Sequence, residues 1–281
     1  MMGFEAGKSK RVQTMKLEDY ANRYRHVKME RREGILQLTL HTNKAEFKWG
    51  ALPHEELSYA FYDVARDYEN RCVILTGTGS VFCSQMDTGG GPGGLKVSES
   101  SAPQPAAAVA PTAWDHIYSD AKYLLMNLLN IEVPMIAAVN GPALIHAELA
   151  VLCDVVLASA NTEFQDAPHF PNGVVPGDGV HLVWPLVLGP NRGRYFLLTG
   201  QKIGAAEALS LGVVNEVLSA EALLPRAWQL AEQIIARPAL AARYTRVALI
   251  QQLKTLMLGD LGYGLALEGL SAAASWPGAK V

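Results

Sequence analysis

Residues 133–164 read VPMIAAVNGPALIHAELAVLCDVVLASANTEF. The stretch is apolar enough to raise the question of a membrane span, and its interruptions answer it. Asn140, Gly141, Pro142, His146, Glu148 and Asp154 break the apolar run before it reaches the ~20 residues a spanning helix needs. The pattern instead predicts a buried strand over PMIAAVNG, a turn, a short helix over HAELAVLCD and another strand over VVLASANTEF.

The flanks extend the same alternation. HVKMERREGILQLTLHT (26–42) holds two short alternating runs about Arg32-Glu33-Gly34, a hairpin signal. PHEELSYAFYDVARDYE (53–69) spaces Leu57, Ala60, Phe61, Val64 and Ala65 as one face of a helix. RCVILTGTG (71–79) is a continuous β-branched run, as in a strand buried on both faces. WDHIYSDAKYLLMNLLNIE (114–132) returns to helix. After VPGDGVHLVWPLVLG (175–189) the chain turns helical, divided by Pro185, Pro190, Pro225 and Pro238. Strand and helix alternate ahead of a helical C-terminal third, so the fold class is α/β. A flexible leader is expected over residues 1–20, a core over 21–215 and a helical region over 216–281. Residues 88–113, rich in Gly, Pro, Ala and Ser, bury too little apolar surface to offset ordering entropy. They are expected to form a mobile loop, either a lid or a disordered insertion.

The bulk chemistry narrows the partners. The 281 residues carry 24 Lys and Arg against 27 Asp and Glu, and no basic block. Neither nucleic acid nor an anionic membrane surface is an expected partner. No apolar h-region follows the basic N-terminal residues, so no secretory signal is expected. Cys72, Cys83 and Cys153 form neither a disulfide framework nor a CxxC or zinc pattern, which fits a reducing cytoplasm.

Several motifs stand in one order: VILTGTGSVFCSQMD (73–87), the 133–164 stretch continued through QDAPHF to residue 170, VVPGDGVHLVWPLVLGPNRGRYFLLTG (174–200) and IGAAEALSLGVVNEVL (203–218). In that order they resemble the crotonase (enoyl-CoA hydratase/isomerase) superfamily. The resemblance runs from about residue 26 to 250. It implies a core of stacked ββα turns with a helical C-terminal trimerisation region, assembled as a homotrimer or a dimer of trimers.

The departures from the family pattern are informative. Family members carry a glycine-rich turn after the NGPAL element. An N–H of that turn and one from the FCSQMD region form an oxyanion hole for a CoA thioester. Here the turn reads Ile145-His146-Ala147, without glycine and one residue shorter. The family's second glutamate, in a Pro-Glu pair, is replaced by His169 after Pro168, and Asp178 stands at a turn that usually carries a small residue. These changes resemble one branch, 6-oxocamphor hydrolase and related β-diketone hydrolases, which act on cyclic 1,3-diketones without CoA. By that resemblance His54, His146, His169, Asp178 and Glu268 occupy the branch's functional polar positions, and Trp49 that of an active-site tryptophan. Glu148 matches the family's first glutamate, with a secondary role in the absence of the second.

The implied reaction is a retro-Claisen hydrolysis. It needs a base for water, a donor for the oxyanion of the adduct and a donor for the departing enolate. His169 suits the base, with a pKa near 6.5 before perturbation, and Asp178 is expected to orient it. His146 stands where an oxyanion donor is needed. Trp49 offers an indole N–H and a flat apolar wall. His54 and Glu268 are expected to act behind these groups or as a proton relay. No cofactor or metal is called for, because the diketone is its own electron sink. Asp166 reads as a loop or cap residue, and His181 as a helical residue facing solvent or a partner chain. Each histidine taken alone also fits a structural role. An acyl-CoA hydratase or isomerase, and a non-catalytic crotonase-fold assembly protein, are the alternatives.

Overall fold

The computed structural model describes residues 14–87 and 111–275. A short helix, α1 (Leu17–Tyr20), precedes the hairpin of β1 (Val27–Arg32) and β2 (Ile35–Leu40). The hairpin pairs antiparallel through a two-residue turn with φ of 50° at Glu33 and 85° at Gly34, the turn whose twist matches the strands. The chain continues through β3 (Lys48–Trp49), α2 (Ala51–Arg66), β4 (Cys72–Gly77), β5 (Gln85–Met86), α3 (Pro111–Leu129), β6 (Met135–Val139), α4 (Glu148–Val151), β7 (Val155–Ser159) and β8 (Glu163–Phe164). Then come α5 (Val180–Leu188), α6 (Pro190–Thr199), β9 (Ile203–Gly204), α7 (Ala205–Ser210), β10 (Glu216–Leu218), α8 (Ala220–Ile235) and α9 (Ala239–Ser275).

One six-stranded sheet runs β1-β2-β4-β6-β7-β10, parallel throughout except for the opening hairpin. Its inner strands are buried on both faces, whereas the edge strand β1 exposes every second residue. Leu36, Leu38, Val73, Leu75, Ala137 and Val139 enter the main core, while Ile35, Ile74, Ile136 and Leu157 pack with Leu223, Ala227 and Ala231 of α8. That alternation is the period of two that a pleated strand imposes.

Several expectations need correction. The run VVLASANTEF is two strands, because the chain turns at Ser159–Thr162 and β8 pairs with β9 in a separate ribbon. The leader is not free up to residue 20: Tyr20 is fully buried and its hydroxyl donates to Asp67. Pro190 and Pro238 stand at helix starts, but Pro185 and Pro225 lie inside α5 and α8 without dividing them. The 216–281 region is not purely helical, since β10 completes the main sheet. Of the 88–113 segment, residues 88–110 lie outside the described residues, and 111–113 already belong to α3.

The long helix α9 matters for function because it is fixed at several points. Arg246, buried near its start, pairs with Asp154 and donates to the Ile131 carbonyl at 2.7 Å. Farther along, Ser271 accepts the Val175 N–H at 2.8 Å. Gly177 packs so closely that a Cβ there would stand 2.1 Å from the Gly264 carbonyl oxygen, so neither helix nor loop could approach with a side chain at 177. The loop before α5 and the helix α9 are thereby held against each other.

Candidate active site

The six residues singled out by sequence come together. Trp49 ends β3, His54 lies in the first turn of α2, His146 precedes α4, and His169 leads into a 3₁₀ turn, Phe170–Asn172. Asp178 sits just before α5, and Glu268 projects from α9. Two more residues join them: Asp166, which the sequence suggested was a loop or cap residue, and Glu148, which it gave only a secondary role.

His169 is nearly buried and surrounded by carboxylates. Its Nδ1 hydrogen-bonds Asp166 Oδ1 at 2.6 Å. Its Nε2 lies 3.4 Å from Asp178 Oδ2 and 3.6 Å from Glu268 Oε1, ion-pair separations longer than good hydrogen bonds. The expected orienter was Asp178, and the structure places Asp166 in that position instead. Asp166 precedes His169 by three residues across Pro168, and that short turn brings its carboxylate back to Nδ1. The i, i+3 spacing was the available signal. Asp178 faces the other nitrogen and also lies 3.7 Å from His146 Nδ1, so it is shared by both imidazoles.

His146 hydrogen-bonds Glu148 Oε1 through Nδ1 at 2.5 Å. Its ring lies over Trp49, with centroids 3.9 Å apart and planes 33° from parallel, and the His54 ring stands 5.7 Å away. Among the described residues, His146 Nε2, the His54 ring and the Trp49 indole N–H have no hydrogen-bond partner, so they are free to meet a ligand. His146 has φ of 47°, a left-handed conformation that costs about 1 kcal/mol or more in a non-glycine residue. His181 does not face solvent. Its ring lies against Gly264 of α9, where a Cβ would come 2.2 Å from its Cε1.

The charge states follow from these contacts. Burial disfavours the His169 imidazolium, but Asp178, Asp166 and Glu268 outweigh it and hold its pKa well above 6.5. Burial acts against Asp178 ionisation too, and the charges of His169 and His146 reverse that, keeping it well below the usual carboxylate range. Glu268 is pushed up to about 7 by burial, reinforced by the Asp178 charge and opposed by His169. Against the effect of burial, Glu148 raises His146, whereas burial and His146 push His54 down to about 3, so His54 is neutral. Two trios, His146–Glu148–Asp178 and His169–Asp178–Glu268, place their side-chain atoms within 4.8 Å of one another. A divalent cation could reach either trio, and the charge pairing just described accounts for the same convergence.

The family model for enoyl-CoA hydratase/isomerase matches residues 30–259. The chain belongs to the enoyl-CoA hydratase/isomerase, or crotonase, family. A β-diketone hydrolase from the cyanobacterium Anabaena sp. PCC 7120, solved with (S)-3-oxocyclohexyl acetic acid bound, is 46% identical with a TM-score of 0.83, covering 91% of this chain and 97% of that one. An enoyl-CoA hydratase/isomerase from Mycobacterium paratuberculosis is 25% identical with a TM-score of 0.78, covering 89% and 94%. A Bacillus subtilis protein named for enoyl-CoA hydratase/isomerase activity is 30% identical over 238 residues, 84% of each chain. No helix among the described residues is long and apolar enough to cross a membrane, and all three cysteines are buried and free.

Within this crotonase fold, the turn after β6 has a distinctive backbone. The amides of Leu144 and Ile145 both donate to the Cys83 carbonyl, at 2.8 and 3.1 Å. At His146 the chain takes the left-handed conformation that suits glycine, yet it carries an imidazole stacked on Trp49. Two amides of the turn are therefore engaged within the protein, and a ring occupies the approach that glycine would leave open.

Proposed function

We propose that this crotonase-family enzyme hydrolyses a carbon–carbon bond of a cyclic, preferably bicyclic, 1,3-diketone by a retro-Claisen reaction, giving a keto acid without CoA. The observation that carries the reading is the pairing of His169 with Asp166, close to a second histidine whose Nε2 is free. Asp166 holds Nδ1–H, so neutral His169 presents Nε2 to water. Asp178 and Glu268 increase its affinity for the proton it removes. Water adds to one carbonyl, and His146, whose protonated form Glu148 favours, donates through Nε2–H together with the Trp49 indole N–H to the developing oxyanion and then to the enolate oxygen. The face of Trp49, with the tilted His146 ring beside it, suits a compact apolar ring system. The keto acid held by the Anabaena hydrolase is of the type that hydrolytic opening of a bicyclic 1,3-diketone yields, which supports the same substrate class here.

The engaged Leu144 and Ile145 amides weigh against thioester chemistry at that turn. Assembly as a homotrimer or dimer of trimers belongs to the same proposal, and the exposed Leu249, Leu258 and Leu270 of α9 offer apolar contact surface. The test is to incubate purified protein with a panel of bridged and bicyclic 1,3-diketones, with neither CoA nor metal added. Keto acid formation is expected. Hydration of an enoyl-CoA with no turnover across the panel would overturn the reading.

A further inference from the structure

Three carboxylates converge on His169, and they are not equivalent. Asp166 is bound to Nδ1, whereas Asp178 and Glu268 reach the same Nε2 atom at 3.4 and 3.6 Å. The Nε2, Oδ2 and Oε1 atoms all lie within 4.8 Å of one another. Two carboxylates so close together resist joint ionisation, and one of them retains a proton. Asp178 has His146 as a second cationic neighbour at 3.7 Å, which favours its charged form. Among the described residues Glu268 has no such second partner at ion-pair distance; it is as buried as Asp178, and its Oε2, like Asp178 Oδ1, has no hydrogen-bond partner, so the His146 contact is what separates the two. The proton belongs on Glu268.

We infer that Glu268 is the acid that delivers a proton to the enolate carbon after carbon–carbon cleavage. This rests on the hydrolytic reading above and deepens it. The balance is as follows. An O–H bond of water breaks, its proton goes to His169 Nε2, and its oxygen bonds to a carbonyl carbon. The carbon–carbon bond breaks, and its electron pair becomes the enolate. The Glu268 O–H gives its proton to the carbon that lay between the two carbonyls. His169 Nε2 then returns its proton to the Glu268 carboxylate across the 3.6 Å gap, and the new carboxylic acid ionises to solvent. His169 and Glu268 thus work as a pair holding one proton between them. The groups that set that proton's position are Asp166 beside His169, Asp178 from the loop before α5, and His146 from the turn before α4. A Glu268 pKa pushed up to about 7 is consistent with this assignment.

The experiment follows the protonated carbon. In D₂O the wild-type protein should convert a prochiral bicyclic diketone to a keto acid with one deuterium, in one configuration, at that carbon. Glu268→Gln should still cleave the carbon–carbon bond, slowed by about 10²-fold, the lower end of the range for losing an acid catalyst, with deuterium on both faces. Its rate should lose the falling alkaline limb of the wild-type pH profile, since only His169 must then be neutral. Glu268→Asp, which keeps the acid but withdraws it, should show an intermediate loss of configuration and serves if the Gln variant does not fold. Wild-type configuration at a wild-type rate in either folded variant overturns the inference and leaves the hydrolytic reading standing. If wild-type protein turns over no diketone, both fall.

Discussion

His169 and His146 are both enclosed imidazoles with a carboxylate on Nδ1, and their other surroundings differ. Around His169 stand Asp166, Asp178 and Glu268, all carboxylates. Around His146 stand Glu148, the face of Trp49 and the neutral His54, with Asp178 at the margin. An imidazole ringed by acids is a proton acceptor of raised affinity. An imidazole stacked on an indole, with a free Nε2, is a hydrogen-bond donor beside an apolar wall. One residue type thus acquires two chemistries from its neighbours, with Asp178 shared between them.

The largest expected effects fall on the His169 side. His169→Ala is expected to lower kcat/KM by about 10²- to 10⁴-fold with the fold intact, as for a lost general base. Asp166→Asn leaves His169 present but frees it to take the wrong tautomer, a change that costs up to about 10⁴-fold where a carboxylate orients a catalytic histidine. Near-wild-type rates in a folded Asp166→Asn variant would return the orienting role to Asp178. On the other side, His146→Ala is expected to lower kcat by about 10²- to 10³-fold, the usual loss for one oxyanion donor. An unchanged kcat there would mean that Trp49 alone meets the oxygen.

A smaller effect, on stability, reads the same contrast. His169 has a folded pKa above its unfolded value of 6.5, so its contribution is full below 6.5 and is lost as pH rises through the raised value. Glu268, raised from 4.5 to about 7, behaves likewise, its contribution fading between those values as pH rises. Asp178, with its pKa lowered from 3.8, contributes above 3.8 and loses that contribution as pH falls further. Melting temperature is therefore expected to peak in mild acid and to decline through neutrality, and Glu268→Gln should flatten the part of that decline between pH 4.5 and about 7. A melting temperature that climbs steadily from mild acid to alkaline pH would contradict these charge states. The smallest expected effect is that of a chelator. Prolonged dialysis against one should leave turnover unchanged, and a loss restored by a divalent cation would assign one of the carboxylate–histidine trios to a metal.

Much of this arrangement was legible in the sequence, and the reasons differ by region. The sheet could be read because β4 and β6 are continuous apolar runs, each bounded by a turn. The break between β7 and β8 was not legible, because Ala160-Asn161 can continue a strand pattern and only the pairing of β8 with β9 shows the change of partner. His146, His169 and Asp178 stood out because each replaces an expected residue at a family position. Asp166 did not, since a carboxylate three residues from a histidine usually reads as a loop or cap residue, and Glu148 was legible as the family's first glutamate but not as the partner of His146. Only the folded turn reveals that each points at Nδ1. Glu268 lies 90 or more residues from its partners in sequence. Its approach depends on Arg246 anchoring α9 and on the close contact of Gly177 with Gly264, neither of which leaves a local pattern.

The most direct measurement of the central claim uses isotopic water. A bicyclic 1,3-diketone is incubated with the wild-type protein in H₂¹⁸O, without CoA or metal, and the keto acid is analysed by mass spectrometry. The account predicts one ¹⁸O in the new carboxylate on first formation, and cleavage that disappears in His169→Ala. Intact diketone after prolonged incubation across the panel, with an enoyl-CoA hydrated by the same protein, would contradict it.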